Sequence, residues 1–220
     1  MKKTIKEELN ILLPNSGIET IHGEYYMRFE LGGEGNSNKE KIEQATKRGT
    51  EIFNQVIKED EIIIVIEEWE SEFFDPENRN KNYVFEILDG VDLKRVKGPF
   101  EQTYFEENEE GVKIEKIFED KLECDLLIGK FNIKLNQAEA IIKGISSLEM
   151  GGEPCIPQNI YFFSIQKQSG FRIYDDRGCD VWANSLNTLE PIYENLNSWI
   201  LEYNRAEIDD MFNNEISGGF

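Results

Sequence analysis

A run of residues from Phe171 to Ala183, FRIYDDRGCDVWA, constrains the fold of this chain more than any other part of the sequence. Apolar and polar residues alternate on both sides of an acidic turn, which is the period of half-buried strands. Asp175 at the first turn position and Gly178 at the fourth are typical of a type I turn whose glycine takes the left-handed conformation and closes a bulged hairpin. The sequence therefore predicts a β-hairpin here. These residue types do not define a reaction.

Helical and extended patterns alternate in the first third of the chain. Tyr25 to Leu31 alternates as a strand, and Ser37 with Glu40 has the spacing of a capping box at the start of a helix. The apolar run IIIVI within Glu61 to Glu67 predicts a buried strand after that helix. Strand, helix and strand in this order predict a right-handed crossover that joins strands of one sheet. The expected core positions of the helix are Ile42, Ala45, Gly49, Ile52, Phe53 and Val56.

The rest of the chain predicts an α+β (mixed α/β) fold. Residues 69–120 have weak periodicity and are expected to form loops, a short helix and edge strands. From Leu122 onward we expect two extended segments, a helix that begins at Asn136, a strand from Ile160 to Gln166, the hairpin and a final helix from about Thr188 to Tyr203. We expect an N-terminal part, residues 1–120, and a C-terminal part, residues 121–220, either as two units or as one continuous domain.

The balance of charge restricts the partners of the protein. The chain contains 44 acidic and 24 basic residues, a formal net charge of −20. Such a surface repels the phosphates of nucleic acids and the headgroups of anionic lipids, so neither nucleic acid nor membrane is an expected partner. A basic protein or a cation is the partner class that this field attracts. Nothing in the sequence indicates an oligomeric state.

Targeting signals and cysteine spacing point to the cytoplasm. Lys6, Glu7 and Glu8 interrupt any apolar core near the N-terminus, so this segment is expected to be a short helix rather than a secretory signal. The longest apolar run, Ile62 to Ile66, is far too short for a membrane span. The three cysteines are widely spaced and form no CxxC pair, which predicts neither a disulfide framework nor a zinc site.

Two parts of the chain resemble a known family. The string YDDRGCDVWA, followed by TLEPIYENLNSWILEYNRAEID, resembles the C-terminal part of a family of uncharacterised bacterial proteins with a domain of unknown function. MRFELGG and KRGTEIFNQVIKEDEIIIVI resemble its first strand, helix and strand, with Gly49 at a position where alanine is common in the family. The resemblance implies no established activity, cofactor or catalytic residue. It implies only that the YDDRGCD segment is important to the protein.

The acidic turn of the hairpin is the first candidate functional site. Its carboxylates could converge on a divalent cation, since hard cations prefer several carboxylate oxygens, and the turn would then belong to a metal-dependent enzyme or a small-ligand binder. The favoured interpretation is structural, because acidic turn residues commonly bond their own backbone and strand alternation separates the carboxylates. The candidate residues are Tyr174, Asp175, Asp176, Arg177, Gly178 and Asp180.

Other point motifs predict no catalysis and no cofactor. The GGEG segment after Leu31 precedes a helix, but it lacks the lysine and hydroxyl residues of a Walker loop, and Glu34 would repel a phosphate. His22 is the only histidine, so metal sites with two or more histidines are excluded and a catalytic triad would depend on this one loop residue. Adjacent carboxylates arise by chance in a chain this acidic.

The middle segment of the chain is the second candidate site. Residues 51–120 carry 21 acidic and 8 basic residues, with aromatic residues interleaved. Aromatic anchors within a field of carboxylates are typical of a surface that binds a cationic protein, although the aromatic residues could equally form core. The sequence thus predicts a non-catalytic acidic protein-binding module, one version being an immunity-type antagonist of a basic toxin. The candidate partner surface is Trp69, Phe73, Phe74, Tyr104, Phe105, Glu106 and Glu107.

Overall fold

The structure of the protein is a computed structural model that describes residues 25–33, 35–57, 61–69, 83–97, 103–107, 113–117 and 124–218. For residues 69, 97, 103–107, 113–117, 124 and 214–218 it describes the backbone alone. The expected helix near the N-terminus lies outside the described residues.

Strands account for much of the described chain. They are β1 (Tyr25–Glu30), β2 (Glu61–Trp69), β3 (Leu93–Lys97), β4 (Thr103–Glu107), β5 (Lys113–Ile117), β6 (Cys124–Asn132), β7 (Asn159–Ser164), β8 (Ser169–Ile173) and β9 (Gly178–Ala183). The helices are α1 (Asn38–Val56), α2 (Tyr83–Ile87), α3 (Leu135–Leu148), α4 (Leu186–Leu196) and α5 (Glu202–Gly218), with a 3₁₀ turn at Asn197–Trp199. In this part of the chain, no helix is both long enough and apolar enough to cross a membrane.

Seven strands form one antiparallel sheet in the order β1-β9-β8-β7-β2-β6-β3, and β4 pairs with β5 in a separate two-stranded sheet. The expected α+β fold is therefore confirmed. β1 and β2, which flank α1 in the chain, do lie in one sheet and run in the same direction, as a crossover requires. They are not neighbours, because β9, β8 and β7 lie between them.

Helix α1 begins where its sequence predicts. The Ser37 hydroxyl accepts a hydrogen bond from the Glu40 backbone N–H at 3.3 Å, and the Glu40 carboxylate accepts one from the Asn36 backbone N–H at 2.8 Å. These two bonds satisfy amide groups that would otherwise lack partners at the helix start. Every apolar residue expected on the inner face of α1 is buried.

The main core lies between α1, α3 and one face of the sheet. The ring of Phe53 on α1 makes edge-to-face contacts with Phe162 of β7 and Phe171 of β8, with ring centroids 5.2 and 5.5 Å apart. Gly49 lets α1 approach α3 closely, since a Cβ atom there would lie 3.0 Å from a methyl group of Ile142. Complete burial of each of these rings stabilises the fold by about 2–3 kcal/mol.

The single helix expected from Thr188 to Tyr203 is wrong. Helix α4 ends at Leu196, and after the 3₁₀ turn Ile200 is extended, with φ −60° and ψ 130°. Ile200 forms a β-bridge with Phe29, and the Leu201 N–H donates to the Arg28 carbonyl at 2.9 Å. The chain leaves the helical conformation because this pairing satisfies the open edge of β1 and buries Ile200. A new helix, α5, begins at Glu202.

Candidate functional site

The acidic turn connects β8 and β9, so the predicted hairpin is confirmed. Within it, the Tyr174 backbone N–H donates to the Gly178 carbonyl at 3.3 Å. The Arg177 carbonyl accepts a hydrogen bond of 2.8 Å from the N–H of Leu31, the residue that directly follows β1. The turn is therefore held between its own two strands and the next strand of the sheet.

Gly178 does not take the left-handed conformation that the type I turn would require. It is the first residue of β9, pairs with Glu30, and its φ lies outside the left-handed range. Glycine is needed at this position for a steric reason. A Cβ atom would lie 1.9 Å from the Tyr174 hydroxyl oxygen and 2.9 Å from the Phe29 carbonyl oxygen. The tyrosine side chain thus lies directly over the glycine.

Asp175 and Arg177 bond to each other within the turn. One oxygen of the Asp175 carboxylate accepts from the Arg177 backbone N–H at 2.7 Å, and the other accepts from the Arg177 Nε at 2.8 Å and from an Nη atom. The Asp175 side chain is 9% exposed, whereas that of Arg177 is 79% exposed. Asp175 is thus used to shape the backbone, as is typical of aspartates in turns.

Asp176 is buried, and its Oδ1 atom has no hydrogen-bond partner in the part of the chain that the structure describes. Burial, followed by the adjacent charge of Asp175, raises the pKa of the Asp176 carboxyl. Its backbone carbonyl lies against Gly32, where a Cβ atom would come within 2.8 Å of the oxygen. Asp176 is therefore the acidic residue of the turn that has a buried carboxylate oxygen without a partner among the described residues.

Asp180 belongs to a different cluster, on the sheet rather than on the turn. Its Oδ1 atom accepts hydrogen bonds from the Tyr26 hydroxyl and from the Arg28 Nε, both at 2.9 Å. The Arg28 guanidinium also lies 5.6 Å from the ring centres of Tyr26 and Tyr174. Burial and the Asp180 charge raise the pKa of Tyr26, and the same two causes raise the pKa of Tyr174 to about 12.

Strand register places a second arginine beside this cluster. Asp180 is directly opposite Arg28 on β1 and Arg172 on β8, and Arg172 is in turn opposite Tyr161 on β7. The Arg172 guanidinium lies 5.0 Å from the Tyr161 ring centre. Its Nε atom is buried and has no acceptor among the described residues.

The sequence patterns did not predict Tyr26, Arg28 or Arg172 as residues of the site. Alternation from Tyr25 to Leu31 does place Tyr26 and Arg28 on one side of a strand, but the strand that pairs with β1 cannot be read from that alternation. Asp175, Asp176 and Asp180 are not brought together into a metal-binding group. In the described ranges, no three acidic, cysteine or histidine side chains are grouped suitably for a metal ion.

The glycine-rich segment and the single histidine add little to this site. His22 and Glu34 lie outside the described residues. The N-terminus of α1, where a phosphate would have to bind, is already capped by the Ser37 hydroxyl and the Glu40 carboxylate. This is the arrangement of an ordinary connection between a strand and a helix.

The candidate partner surface of the middle segment is described only in part. Phe73 and Phe74 lie outside the described residues. The backbone of Trp69 ends β2, opposite Cys124. Four members of the surface lie on β4, where they face residues of β5 in the register Tyr104 to Lys116, Phe105 to Glu115, Glu106 to Ile114 and Glu107 to Lys113.

A further exposed surface, which the sequence analysis did not single out, lies on α5. Tyr203, Glu207 and Asp210 recur at the spacing of one helix face, and all three are exposed, with Tyr203 at 90%. The opposite face packs inward through Ile208 and Phe212. We call the three exposed residues the outer face of α5.

The one basic residue of the described α4 and α5 side chains is Arg205. It bonds to the Glu202 carboxylate at 2.9 Å, to the Asn197 side chain at 3.1 Å and to the Ile200 carbonyl at 3.3 Å. Its charge is therefore used within the connection between α4 and α5. The outer face of α5 was not predicted from the sequence, because the last helix was expected to end at Tyr203.

Comparisons with known proteins agree with the resemblance noted from the sequence. Residues 6–204 match a family model described as a domain of unknown function (DUF3885). A segment of 55 residues is 38% identical to the uncharacterized protein YnaE of Bacillus subtilis (strain 168). The match covers 25% of this chain and 26% of that protein. No solved structure matches the chain significantly. Because the family model spans most of its length, the chain belongs to the DUF3885 family.

Proposed function

We propose that the protein is a non-catalytic acidic module that binds a basic protein, and that one version of this role is an immunity-type antagonist of a basic toxin such as a nuclease. The formal net charge of −20 attracts cationic surfaces and repels nucleic acid and anionic lipid. We infer a cytoplasmic location, since the three cysteines of the chain are widely spaced and form no CxxC pair.

The observation that carries this proposal is the outer face of α5. A tyrosine that is 90% exposed leaves a large apolar ring in water, and two exposed carboxylates follow it on the same helix face. Aromatic rings supply much of the binding energy at protein interfaces, whereas carboxylates at the rim steer a cationic partner and exclude acidic ones. Tyr203 is the anchor, and Glu207 and Asp210 select a basic partner.

The bonding within the acidic turn supports a structural role for that motif. Asp175 is held by Arg177, and Asp180 is held by Tyr26 and Arg28. These groups hold β1, β9 and the turn after β8 together, so they stabilise the sheet edge to which the segment before α5 is bonded. In this proposal YDDRGCD matters because the fold requires it.

A quantitative pull-down from the native host tests the proposal. The protein is used as bait at low and at moderate salt, and retained proteins are identified by mass spectrometry. We expect one basic protein that survives moderate salt, and Tyr203→Ala should weaken its binding by about tenfold or more. If the partner is a nuclease, addition of the purified protein should also inhibit cleavage of its substrate.

Matched variants distinguish binding by the outer face of α5 from a general effect of acidic charge. Glu207→Gln/Asp210→Asn should slow association and reduce the dependence on salt, whereas Glu149→Gln/Glu153→Gln, exposed beyond α3, should have little effect. Glu106→Gln/Glu107→Gln tests the middle segment separately. Absence of any basic protein retained at moderate salt would contradict the proposal.

The buried Oδ1 atom of Asp176 favours a second candidate function, a binder of a metal ion or small ligand at the turn. Its unused acceptor could take a cation or a donor group of a ligand. Calorimetric titration with Mg²⁺ and Ca²⁺ tests this alternative. It requires saturable binding by the wild type that Asp176→Asn abolishes while the fold is kept, and equal titrations of the two proteins would eliminate it.

A further inference from the structure

Two arginines occupy equivalent positions on either side of one buried carboxylate. Arg28, Asp180 and Arg172 form a single cross-strand row on β1, β9 and β8. Residues directly opposite each other in a sheet project from the same face, so the three side chains share one side of the sheet. The row contains two positive charges and one negative charge.

The negative charge of this row is bonded to one arginine only. The Asp180 Oδ1 atom accepts from Arg28 and from Tyr26. Arg172 lies over the Tyr161 ring instead, and no described carboxylate pairs with it. The charge of Arg172 is therefore not compensated within the described chain.

An uncompensated guanidinium is unusual in this protein. The chain has 44 acidic residues, so carboxylate partners are abundant. Arg95 and Arg177 each bond to a carboxylate, and Arg205 donates to a backbone carbonyl. Arg172 has a buried Nε donor with no acceptor, and an unsatisfied buried donor costs stability. An acceptor from outside the chain, such as water or an anion, would satisfy this donor.

The geometry points to an oxyanion-binding site on this face of the sheet, centred on Arg172 and flanked by Arg28, that takes the carboxylate or phosphate group of a small molecule. A guanidinium has a planar fork of donors that matches both groups. The Arg28 guanidinium lies over the Tyr26 ring with its Nε bonded to Asp180, and the Arg172 guanidinium lies over the Tyr161 ring, so the donors offered to a ligand are those that Asp180 does not occupy. Because Arg28 neutralises Asp180, the row retains one net positive charge.

This inference goes beyond the proposed binding of a basic protein, since it concerns a ligand of the opposite charge on other residues. A surface with a net charge of −20 repels anions in general. Measurable affinity for a small anion would thus require a specific site. The outer face of α5 contributes nothing to this site, so the two proposals succeed or fail independently.

Thermal unfolding and calorimetry of the full chain test the site, with inorganic phosphate and succinate as probes and sodium chloride at equal ionic strength as reference. We expect phosphate or succinate to raise the unfolding temperature more than chloride does, because a ligand that binds the folded state stabilises it. A response to phosphate alone would indicate that the site takes a phosphorylated ligand. A response to succinate alone would indicate that it takes a carboxylate.

Substitutions then locate the site. Arg172→Met should weaken anion binding about tenfold or more, and should leave the unfolding temperature without anion equal to or above that of the wild type. Arg172→Lys keeps the charge but loses the fork, so its affinity should be intermediate. Lys94→Met, which removes an exposed cation on β3, should bind as the wild type does.

Two results would overturn the site. One is an equal response of the wild type to phosphate, succinate and chloride, which would indicate screening only. The other is undiminished anion binding by Arg172→Met. If Arg172→Met does not fold, Arg172→Lys and Arg28→Lys provide the same comparison, and anion affinities equal to that of the wild type in both would also overturn it.

Discussion

Gly178 is the residue of the acidic turn that the structure constrains most tightly. Its missing Cβ leaves the space that the Tyr174 side chain fills, and the Phe29 carbonyl limits the space from the other side. Gly178→Ala should lower the free energy of unfolding by about 1–3 kcal/mol, because the added methyl group forces the ring or the β1 backbone to move. Urea denaturation of the two proteins measures the difference.

A double-mutant cycle identifies the cause of that loss. In a Tyr174→Ala background the main steric conflict is gone, so Gly178→Ala should cost less there than in the wild type. Equal costs in both backgrounds would show that backbone conformation, and not the tyrosine, requires glycine. That result would favour the type I turn with a left-handed glycine that the sequence predicts.

Tyr174 should make the stability depend on pH in the alkaline range. Burial and the Asp180 charge raise its pKa from the ordinary value of 10.0 to about 12. The unfolded chain therefore loses this proton at lower pH than the folded protein does. The stabilising contribution is complete below about pH 10 and declines as the pH rises toward 12.

Urea denaturation of wild type and Tyr174→Phe, at pH values on both sides of the Tyr174 transition, tests this contribution. The wild type should lose more stability than the variant as the pH increases through that range. Identical pH dependence of the two proteins would show that this hydroxyl keeps its unfolded pKa in the folded state.

Among the elements, the connection between α4 and α5 decides how the end of the described chain is attached. Ile200 and Leu201 add to the edge of β1, and the Leu201 N–H donates to Arg28. Ile200 already has the extended conformation that a residue before proline prefers. Leu201→Pro should therefore act mainly by removing this hydrogen bond, at a cost of about 1 kcal/mol.

Hydrogen exchange measures the consequence for α5. Amides of this helix should exchange faster in Leu201→Pro, because local opening of the attachment becomes easier, while those of β7 and β8 stay protected. Leu201→Ala keeps the N–H group and serves as the control. If both variants leave α5 protected to the same degree, the bond to β1 does not hold the helix.

Element by element, the sequence predicted what depends on short-range patterns. The start and inner face of α1 and the β8–β9 hairpin are where their periodicity places them. The two extended segments expected after Leu122 form one strand, β6, because the intervening Gly129 remains in the ladder with its neighbours on β2 and β3. The missed break after Leu196 depends on β1, which is remote in sequence.

At the scale of the whole molecule, the net charge should govern the response to salt. A formal charge of −20 destabilises the compact state through repulsion among carboxylates. Raising the ionic strength from about 0.01 M to about 0.15 M shortens the screening length from roughly 30 Å to 8 Å. The unfolding temperature should therefore rise in sodium chloride.

Thermal unfolding at a series of sodium chloride concentrations checks this expectation. A substitution such as Glu207→Gln/Asp210→Asn, which removes two exposed charges from one helix face, should reduce the response slightly. An unfolding temperature that falls or stays constant with salt would show that attractive ion pairs outweigh the repulsion.

Charge and local periodicity were the properties that the sequence alone determined. Net charge is a sum over residues, and the patterns of α1 and of the β8–β9 hairpin arise from neighbours a few positions apart. The tertiary structure alone decided which strands pair and in which register. That register places Arg28, Asp180 and Arg172 in one row, separates Asp180 from Asp175 and Asp176, and lays Tyr174 over Gly178. Pairing between distant segments is set by the burial of whole faces, which no single segment encodes.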